Sequence, residues 1–457
     1  MPDINFHPSS YRDPSGFVFE KNGVLYRQIN TSFKEHFDLF IQSGCYDQLA
    51  GKGLMIRHEN LEENVTGSSS WYKTIKPERV EFISYPYEWS FDMLKDAALL
   101  TLQLLKEGLS FNLILKDATP YNIQWHNGRL IFIDTLSFEK YEEKPWIAYR
   151  QFCENFLGPL LIMHYAQQQM PGLLLAWPDG IPLAILRSLL PKRSRFSLHT
   201  YLHVHLHARI SRQSKHASDK APQLSKQKLI NLIGSLQVLV QRLKTPEQKS
   251  TWSEYYDEAG RRNDYLEQKK KIISGWLNDL NIKSAVDLGA NEGAFSQLLA
   301  ERNIHTIAAD FDSYCINRLY DRIKEQRLQN IQPLVLDLAN PTPATGLNNK
   351  ERSSFTDRTK VDLVLALALI HHLAIGRNIP FELIAAFFSH LGKNLLIEFI
   401  PKEDEKIKLM LQQKKDIYTN YAEPAFVGAF EKWFQIADKK IIPGTERVLY
   451  LMTRNDG

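Results

Sequence analysis

The segment from Ala285 to Phe295 constrains the fold of this 457-residue chain more than any other. It reads Ala-Val-Asp-Leu-Gly-Ala-Asn-Glu-Gly-Ala-Phe, an apolar run that ends in an acid and then passes through Gly289 and Gly293. Glycine lacks a Cβ atom, so the backbone at both positions can turn tightly and approach a ligand closely. An apolar strand, a glycine turn and a helix in this order predict a nucleotide-type binding site at the mouth of a parallel sheet.

Two further acids close the next two apolar runs, Asp310 and Asp337. A dinucleotide-binding fold would show three glycines in the order G-x-G-x-x-G. This chain instead reads Asp-x-Gly-x-x-x-Gly from Asp287 to Gly293. That pattern resembles motif I of the class I S-adenosylmethionine (SAM) methyltransferases.

The resemblance implies a role for each residue of this series. Asp287 and Gly289 would border the methionine half of SAM, and Gly293 completes the same cofactor-binding motif. Asp310 would accept hydrogen bonds from the ribose hydroxyls, and Asp337 would lie beside the adenine amine. Four later apolar runs, from Val361, Leu395, Phe434 and Arg447, complete a Rossmann-like seven-stranded α/β domain. The alternative is an α/β domain that binds another nucleotide, or none.

His371 and His372 follow the predicted fourth strand, where a class I enzyme places groups that face the acceptor. Methyl transfer is an in-line displacement, and a base helps only if the acceptor must lose a proton. Imidazole titrates near neutral pH, so both histidines are candidate catalytic residues, with His372 slightly favoured. The alternative is that one caps the loop and the other packs against it. Glu398 ends the fifth strand, where an acid caps a loop more often than it contacts an acceptor.

A second polar set lies in the N-terminal half. Asp117 and Asn122 are five residues apart, and Asp134 ends an apolar run twelve residues later. Phosphoryl transfer needs a carboxylate that orients a hydroxyl, and an amide with a carboxylate that hold a metal on the phosphates. The spacing resembles the kinase-like fold, especially the aminoglycoside phosphotransferases, and implies a nucleotide with Mg²⁺ and Arg27 at the phosphate-binding lysine position. No glycine-rich loop precedes Arg27, which favours a degenerate domain, and the plainer alternative is that Asp117 and Asn122 cap a turn.

Composition describes an ordinary globular chain, with 44% hydrophobic and 24% charged residues and a net charge of +4. That charge is too small to indicate a nucleic-acid partner. Cys45, Cys153 and Cys315 show no C-x-x-C spacing, which favours a reducing, cytoplasmic compartment. No uncharged apolar run reaches the length of a membrane span, so no membrane partner is expected.

Four histidines, at 199, 203, 205 and 207, invite a zinc hypothesis. His199, His203 and His207 would share a helix face, and His203, His205 and His207 would share a strand face. No carboxylate or cysteine lies among them to complete a ligand set, so we expect a packed or solvated histidine-rich surface and no metal.

The chain divides by sequence into three regions. We expect an α+β domain over residues 1–210, with a β-hairpin around Asn22-Gly23 and helices over about residues 32–49 and 91–106. Residues 211–250 should form a polar linker, to about Lys228, and then a packing helix between the halves, and residues 251–457 the methyltransferase domain. Over nearly its full length the chain resembles a bacterial family of two-part proteins that includes a host-specific nodulation protein of rhizobia. The resemblance implies a cytoplasmic methyltransferase with an unidentified methyl acceptor. The competing hypotheses are a phosphotransferase or nucleotide sensor with an accessory C-terminal domain, and a non-catalytic scaffold.

Overall fold

The computed structural model describes residues 4–213, 223–245, 263–412 and 416–455. The chain forms two compact units: unit 1 comprises Met1–Gln248 with Ala344–Arg352, and unit 2 comprises Lys249–Pro343 with Ser353–Gly457. Residues 214–222 of the predicted linker, and the predicted domain start near residue 251, lie outside the described residues.

Strands of both units are numbered along the chain. They are β1 Ile4–Phe6, β2 Gly16–Lys21, β3 Val24–Asn30, β4 His58–Leu61, β5 Trp71–Pro77, β6 Leu113–Leu115, β7 Ile123–His126, β8 Arg129–Phe132, β9 Phe138–Lys140, β10 Ser284–Leu288, β11 His305–Asp310, β12 Ile331–Val335, β13 Val361–Ala366, β14 Gly392–Phe399, β15 Phe434–Ile441 and β16 Val448–Arg454.

The α-helices are numbered in the same way. They are α1 Lys34–Gln42, α2 Cys45–Gly51, α3 Phe91–Ser110, α4 Tyr149–Phe152, α5 Gly158–Ala166, α6 Leu173–Ala176, α7 Leu183–Leu189, α8 Leu198–Thr200, α9 His207–Gln213, α10 Lys226–Arg242, α11 Asn263–Asp279, α12 Ala294–Ala300, α13 Ser313–Gln326, α14 Phe355–Arg358, α15 Phe381–Leu391, α16 Glu405–Gln412 and α17 Glu423–Phe430. Short 3-10 or π-helical turns lie at Thr31–Phe33, Pro86–Glu88, Pro120–Asn122, Cys153–Leu157, Lys192–Phe196, Tyr201–Leu206, Leu347–Asn349 and His372–Gly376.

Unit 2 is built on a seven-stranded sheet in the order β12-β11-β10-β13-β14-β16-β15. The pairs from β12 to β14 are parallel, and β16 runs antiparallel to both β14 and β15. This order, with one reversed strand near the edge, confirms the predicted Rossmann-like methyltransferase fold. The chain reverses its winding direction at β10, which pairs with β11 on one side and β13 on the other. Ligands bind outside the carboxyl ends of the strands at such a switch point.

The core of unit 2 explains why these strands are almost continuously apolar. Both faces of the parallel strands are covered, since every residue of β12 is buried and Leu363 and Leu365 of β13 are fully enclosed. Ile273 and Trp276 of α11 pack into the same cluster. A parallel strand buried on both faces has no solvent side and therefore no polar alternation.

Unit 1 contains a five-stranded antiparallel sheet in the order β1-β2-β3-β5-β4. Its β2–β3 hairpin was predicted from the Asn-Gly turn, and Asn22 and Gly23 both have positive φ, at 53° and 76°. The predicted helix from residue 91 is α3, and its apolar stripe is buried as expected. The predicted helix over residues 32–49 is instead broken at Gly44, whose φ of 79° no helix residue adopts. The kinase-like fold of this unit stays a prediction.

Helix α10 packs within unit 1. Its apolar face lies against α3, and Lys95 Nζ of α3 donates a hydrogen bond to the Leu243 carbonyl at 2.8 Å. The helix therefore belongs to unit 1, and its predicted role of joining the two halves stays a prediction. The helix also begins at Lys226, inside the segment predicted as linker.

Candidate functional site

The glycine turn after β10 places backbone and carboxylate groups at the switch point. Gly289 has a φ of 75°, and its N–H donates to the Ala309 carbonyl at 2.8 Å, which ties the turn to β11. Gly293 has a φ of 79°, and a Cβ atom there would lie 2.6 Å from Leu319 Cδ1. Both positions require glycine, as the motif predicts.

Asp310 lies at the carboxyl end of β11, beside the glycine turn. One oxygen accepts the Asn291 N–H at 2.8 Å, and the other accepts the Asp312 N–H at the same distance. Each carboxylate oxygen can accept a further hydrogen bond, so both can still receive ligand hydroxyls. Burial raises the pKa of Asp310 to about 6, against the effect of these two N–H groups.

Asp287 and Asp337 sit in contrasting surroundings. Asp287 is 3% exposed, accepts the Ser296 hydroxyl at 2.7 Å, and has its pKa raised by burial to about 6. Its carboxylate therefore holds α12, the first helix after the turn, through the Ser296 hydroxyl. Asp337 follows β12 on the surface, where it accepts the Ala339 N–H at 2.9 Å and pairs with Arg377 at 3.2 Å. Their proposed contacts with the methionine and adenine parts of SAM stay predictions.

Glu398, at the carboxyl end of β14, is fully buried. One oxygen accepts the Tyr265 hydroxyl at 2.6 Å, and the other accepts Lys269 Nζ at 2.5 Å. Arg447 Nη1 lies 3.7 Å from the first oxygen, and Arg447 Nε donates to Asp404 Oδ2 at 2.8 Å. Burial opposes the charge of Glu398, but the adjacent Lys269 and Arg447 cations outweigh it and keep its pKa below the usual value.

The same carboxylate holds the loop that carries the two histidines. Glu398 Oε2 accepts the Ala368 N–H at 2.8 Å, which confirms that this acid caps the loop after the fourth strand. Ala368 has a φ of 50°, a left-handed conformation that costs a residue with a Cβ about 1 to 2 kcal/mol. The charged hydrogen bond of Glu398 is of comparable size and offsets that strain.

His371 and His372 are close together, with ring centroids 3.9 Å apart. Burial lowers the pKa of His372 to about 4, and burial with the nearby His372, Arg447 and Lys269 holds the pKa of His371 well below its usual value. The expectation that these imidazoles titrate near neutral pH is therefore wrong for the ligand-free protein, in which both rings are neutral. Nδ1 of His371 is buried and has no hydrogen-bond partner among the described residues, so it is a polar atom available to a ligand.

Lys269 and Tyr265 are the residues of this site that the sequence did not single out. Both lie on the face of α11 that also carries Ile273 and Trp276 and packs into the core. A lysine on an apolar helix stripe is the signal that predicts a buried cation with a carboxylate partner. The partner, Glu398, is more than a hundred residues away in the sequence, so the pairing could not be read from it.

Asp117, Asn122 and Asp134, the polar set of the N-terminal half, form hydrogen bonds or ion pairs with neighbouring protein groups. Asn122 Nδ2 donates to Asp117 at 3.2 Å, and Arg27 Nη1 contacts Asp134 at 2.5 Å. Ser137 and the Leu136 N–H also donate to Asp134. Arg27 thus supplies the positive charge that a metal would bring.

Asp117 experiences the opposite electrostatic environment. Burial and the neighbouring Asp134 raise the pKa of Asp117, and its Oδ1 has no hydrogen-bond partner among the described residues. Tyr121 lies between Asp117 and Asn122 in the sequence. The Arg352 guanidinium lies 4.2 Å from the ring centroid of Tyr121. Within the described residues, no group of three or more His, Cys, Asp or Glu is arranged to hold a metal ion. The predicted Mg²⁺ ligand role of Asp134 is therefore unsupported.

The histidine cluster is tied into unit 1 by protein partners. Ser235 Oγ lies 2.9 Å from His199 Nδ1 and 2.8 Å from His203 Nε2. Nδ1 of His203 lies 2.7 Å from the Tyr149 hydroxyl, and the His207 ring stacks on the Tyr149 ring. His205 contacts Ser194 at 2.8 Å. These partners place the cluster in the packing of α10 against the preceding helices.

Comparison with known proteins gives one full-length relative. The chain is 33% identical over 458 residues to Nodulation protein NoeA of Rhizobium meliloti (strain 1021), across 98% of this chain and 96% of that protein. No family model matches the chain.

Solved structures with a similar fold include two methyltransferases. Magnesium protoporphyrin IX methyltransferase (ChlM) of Synechocystis PCC 6803, with bound SAH, matches 42% of this chain and 86% of its own at 17% identity and a TM-score of 0.31. N-methyltransferase NodS of Bradyrhizobium japonicum WM9 matches 44% and 97% at 13% identity and a TM-score of 0.30. Likenesses of this size carry no weight for function.

Replacing Glu398 by Gln tests the buried network. The substitution leaves Lys269 buried without its carboxylate, and breaking a buried pair costs about 3 to 5 kcal/mol. We therefore expect the free energy of unfolding to fall by that amount in denaturant titrations. Glu267→Gln removes a surface partner of Lys270 and serves as the control, with a change below about 0.5 kcal/mol. Equal effects of the two substitutions would contradict this account.

Asp134 bound to Arg27 predicts that unit 1 transfers no phosphate. We expect ATP with Mg²⁺ to bind weakly or not at all in calorimetry, and labelled ATP to transfer no γ-phosphate, because Asp134 is paired with Arg27 and no glycine-rich loop covers the phosphates. Transfer that is lost in Asp117→Ala and Asp134→Ala, but kept in the surface control Asp47→Ala, would show that the site is a working phosphotransferase.

Proposed function

This chain belongs to the family of the nodulation protein NoeA, and we propose that it is a SAM-dependent methyltransferase that acts on an unidentified acceptor. The observation that carries the proposal is Asp310, a buried carboxylate held by two backbone N–H groups at the carboxyl end of β11, beside the glycine turn after β10. Its free lone pairs suit a pair of vicinal hydroxyls, such as those of a ribose.

The fit to the cofactor rests on three features of unit 2. Gly289 and Gly293 place no Cβ atom at their two positions in the turn after β10, Asp310 would supply acceptors for the ribose, and Asp337 lies beyond β12 for the adenine. SAM supplies a methyl group on a sulfonium, which is transferred by in-line displacement. The chain's own contribution is then to hold the acceptor in line and to exclude water.

We assign the acceptor side to the loop after β13. Glu398 fixes this loop through Ala368, and His371 and His372 follow within one helical turn. Both imidazoles are neutral at pH 7, so either can accept a proton from an acceptor without first losing one. A pKa near 4 makes His372 a weak base, which suits an acceptor whose proton is already acidic or one that only needs orientation.

Compartment and partners follow from the same proposal. Among the described residues no helix is long and apolar enough to cross a membrane. All three cysteines are buried and free. We propose a cytoplasmic enzyme in which unit 1, a degenerate kinase-like domain, serves the methyl transfer.

The phosphotransferase alternative is not favoured. A phosphotransferase would need Asp134 to ligate a metal ion, whereas Oδ1 of Asp134 is paired with Arg27. The scaffold hypothesis predicts no SAM binding, and calorimetry separates it from the enzyme directly.

Asp310→Ala should weaken SAM binding by about one to two orders of magnitude, the worth of a charge-assisted hydrogen bond. Because the carboxylate has a pKa of about 6, affinity of the wild type should also fall by about tenfold from pH 7 to pH 5 as Asp310 is protonated. Calorimetry across this range should show the fall in the wild type and a smaller fall in the variant, in which Asp287 still titrates.

Asp362→Ala is the matched control, since this acid lies at the amino end of β13, whereas Asp310 lies at the carboxyl end of β11. It should keep the affinity and pH profile of the wild type. No SAM binding by the wild type, or unchanged affinity in a folded Asp310→Ala protein, would overturn the assignment.

If His372 is the base, His372→Ala should lower turnover by about 10² to 10⁴. The acidic limb of the wild-type profile should then lie near pH 4, where His372 becomes protonated, and should disappear in the variant. Transfer of a labelled methyl group from SAM to the identified acceptor provides the measurement. His371→Ala tests the second ring, and the exposed His390→Ala is the control. Turnover near that of the wild type in both loop variants would leave positioning as the whole contribution.

A further inference from the structure

Helix α7 and the turns that follow it expose large apolar side chains. Phe196 is 90% exposed, Leu198 67% and Leu189 54%. Tyr201, Leu202 and Ile210 are exposed as well, so exposed apolar side chains recur along the segment as far as Ile210. We call this surface, from Leu189 to Ile210, the apolar face of unit 1.

This surface is not left over from an unfilled core. The opposite side of α7 already buries Leu183, Leu186 and Leu190. The π-helical turn Tyr201–Leu206 packs against α7, and its own buried side carries Val204 and His205. The segment therefore satisfies its packing within unit 1 and presents a second apolar side to solvent. Exposed patches of this kind mark interaction sites.

Charge around the apolar face is of one sign. From Gly180 to Gln213 the sequence has no Asp or Glu and six Lys or Arg. Lys192, Arg193 and Arg195 flank Phe196 directly and are exposed, and none forms an ion pair within the described part of the chain. Arg193 instead donates to the Tyr165 carbonyl at 2.8 Å.

We propose that the apolar face docks on an anionic phospholipid surface. A bilayer interface takes up aliphatic and aromatic side chains below the headgroups, while Lys and Arg remain beside the lipid phosphates. Nucleic acid would match the cations but would leave Leu189 and Leu198 without a partner. A second copy of this chain would bring two positive faces together, which is unfavourable.

The contact is peripheral and needs no spanning helix, so it revises the expectation of no membrane partner, which considered membrane spans alone. Basic side chains near an anionic bilayer contribute about fivefold each to the partition coefficient, and the apolar groups add their own burial. The surface would thus hold unit 1 at a membrane without inserting the chain across it.

Flotation of the full-length protein with lipid vesicles tests the proposal. The wild type should float with vesicles of phosphatidylcholine mixed with phosphatidylglycerol, should not float with phosphatidylcholine alone, and should be released by high salt. The double variant Phe196→Ser/Leu198→Ser should lose at least about tenfold in partitioning, and Lys192→Gln/Arg195→Gln about 25-fold. All four positions are exposed, so both variants should keep the fold of the wild type. Circular dichroism would check this.

Leu383→Ser is the matched control, because Leu383 is a 62% exposed leucine of unit 2 outside the apolar face. It should float like the wild type. Absence of wild-type binding to the anionic vesicles, or equal flotation of Phe196→Ser/Leu198→Ser, would overturn the proposal. Binding to a single-stranded oligonucleotide that is unaffected by Phe196→Ser/Leu198→Ser would assign the surface to nucleic acid instead.

Discussion

The carboxylate of Glu398 is the interaction on which the candidate site of unit 2 depends. It joins three parts of the fold, namely α11 through Tyr265 and Lys269, β14 on which it lies, and the loop after β13 through Ala368. A buried charge is tolerated only when it is paired and hydrogen-bonded, and every oxygen of Glu398 is engaged. The loop that carries His371 and His372 is therefore held by a buried carboxylate whose charge is compensated by neighbouring cations.

That support also sets the protonation of the site. Lys269 and Arg447 compensate Glu398, and the same cations disfavour a positive charge on His371. A site organised in this way keeps its imidazoles neutral and favours orientation over strong general-base catalysis. The chemistry expected from residue type alone, a base near neutral pH, is thus changed by burial and by neighbours from distant parts of the chain.

Unit 1 shows the same principle with a different result. Asp117, Asn122 and Asp134 keep the spacing of a phosphotransferase, yet Arg27 from β3 pairs with Asp134 where a metal would be needed. A guanidinium has a fixed charge and fixed donors, and it cannot deliver the coordination that phosphates require of a metal.

The segment Ala344–Arg352 also belongs to this unit, where Glu351 accepts hydrogen bonds from Arg12 and Tyr11.

The sequence by itself determined the seven strands of unit 2, the glycine turn and the place of Asp310, because these depend on local patterns of apolar residues, glycine and acids. It likewise determined the Asn22-Gly23 hairpin and the buried stripe of α3. Only the tertiary structure decided which charges meet: Lys269 with Glu398, Arg27 with Asp134, and α10 with α3. The physical reason is that strand and turn propensities act over a few residues, whereas burial and Coulomb interactions depend on neighbours brought together from distant positions in the chain.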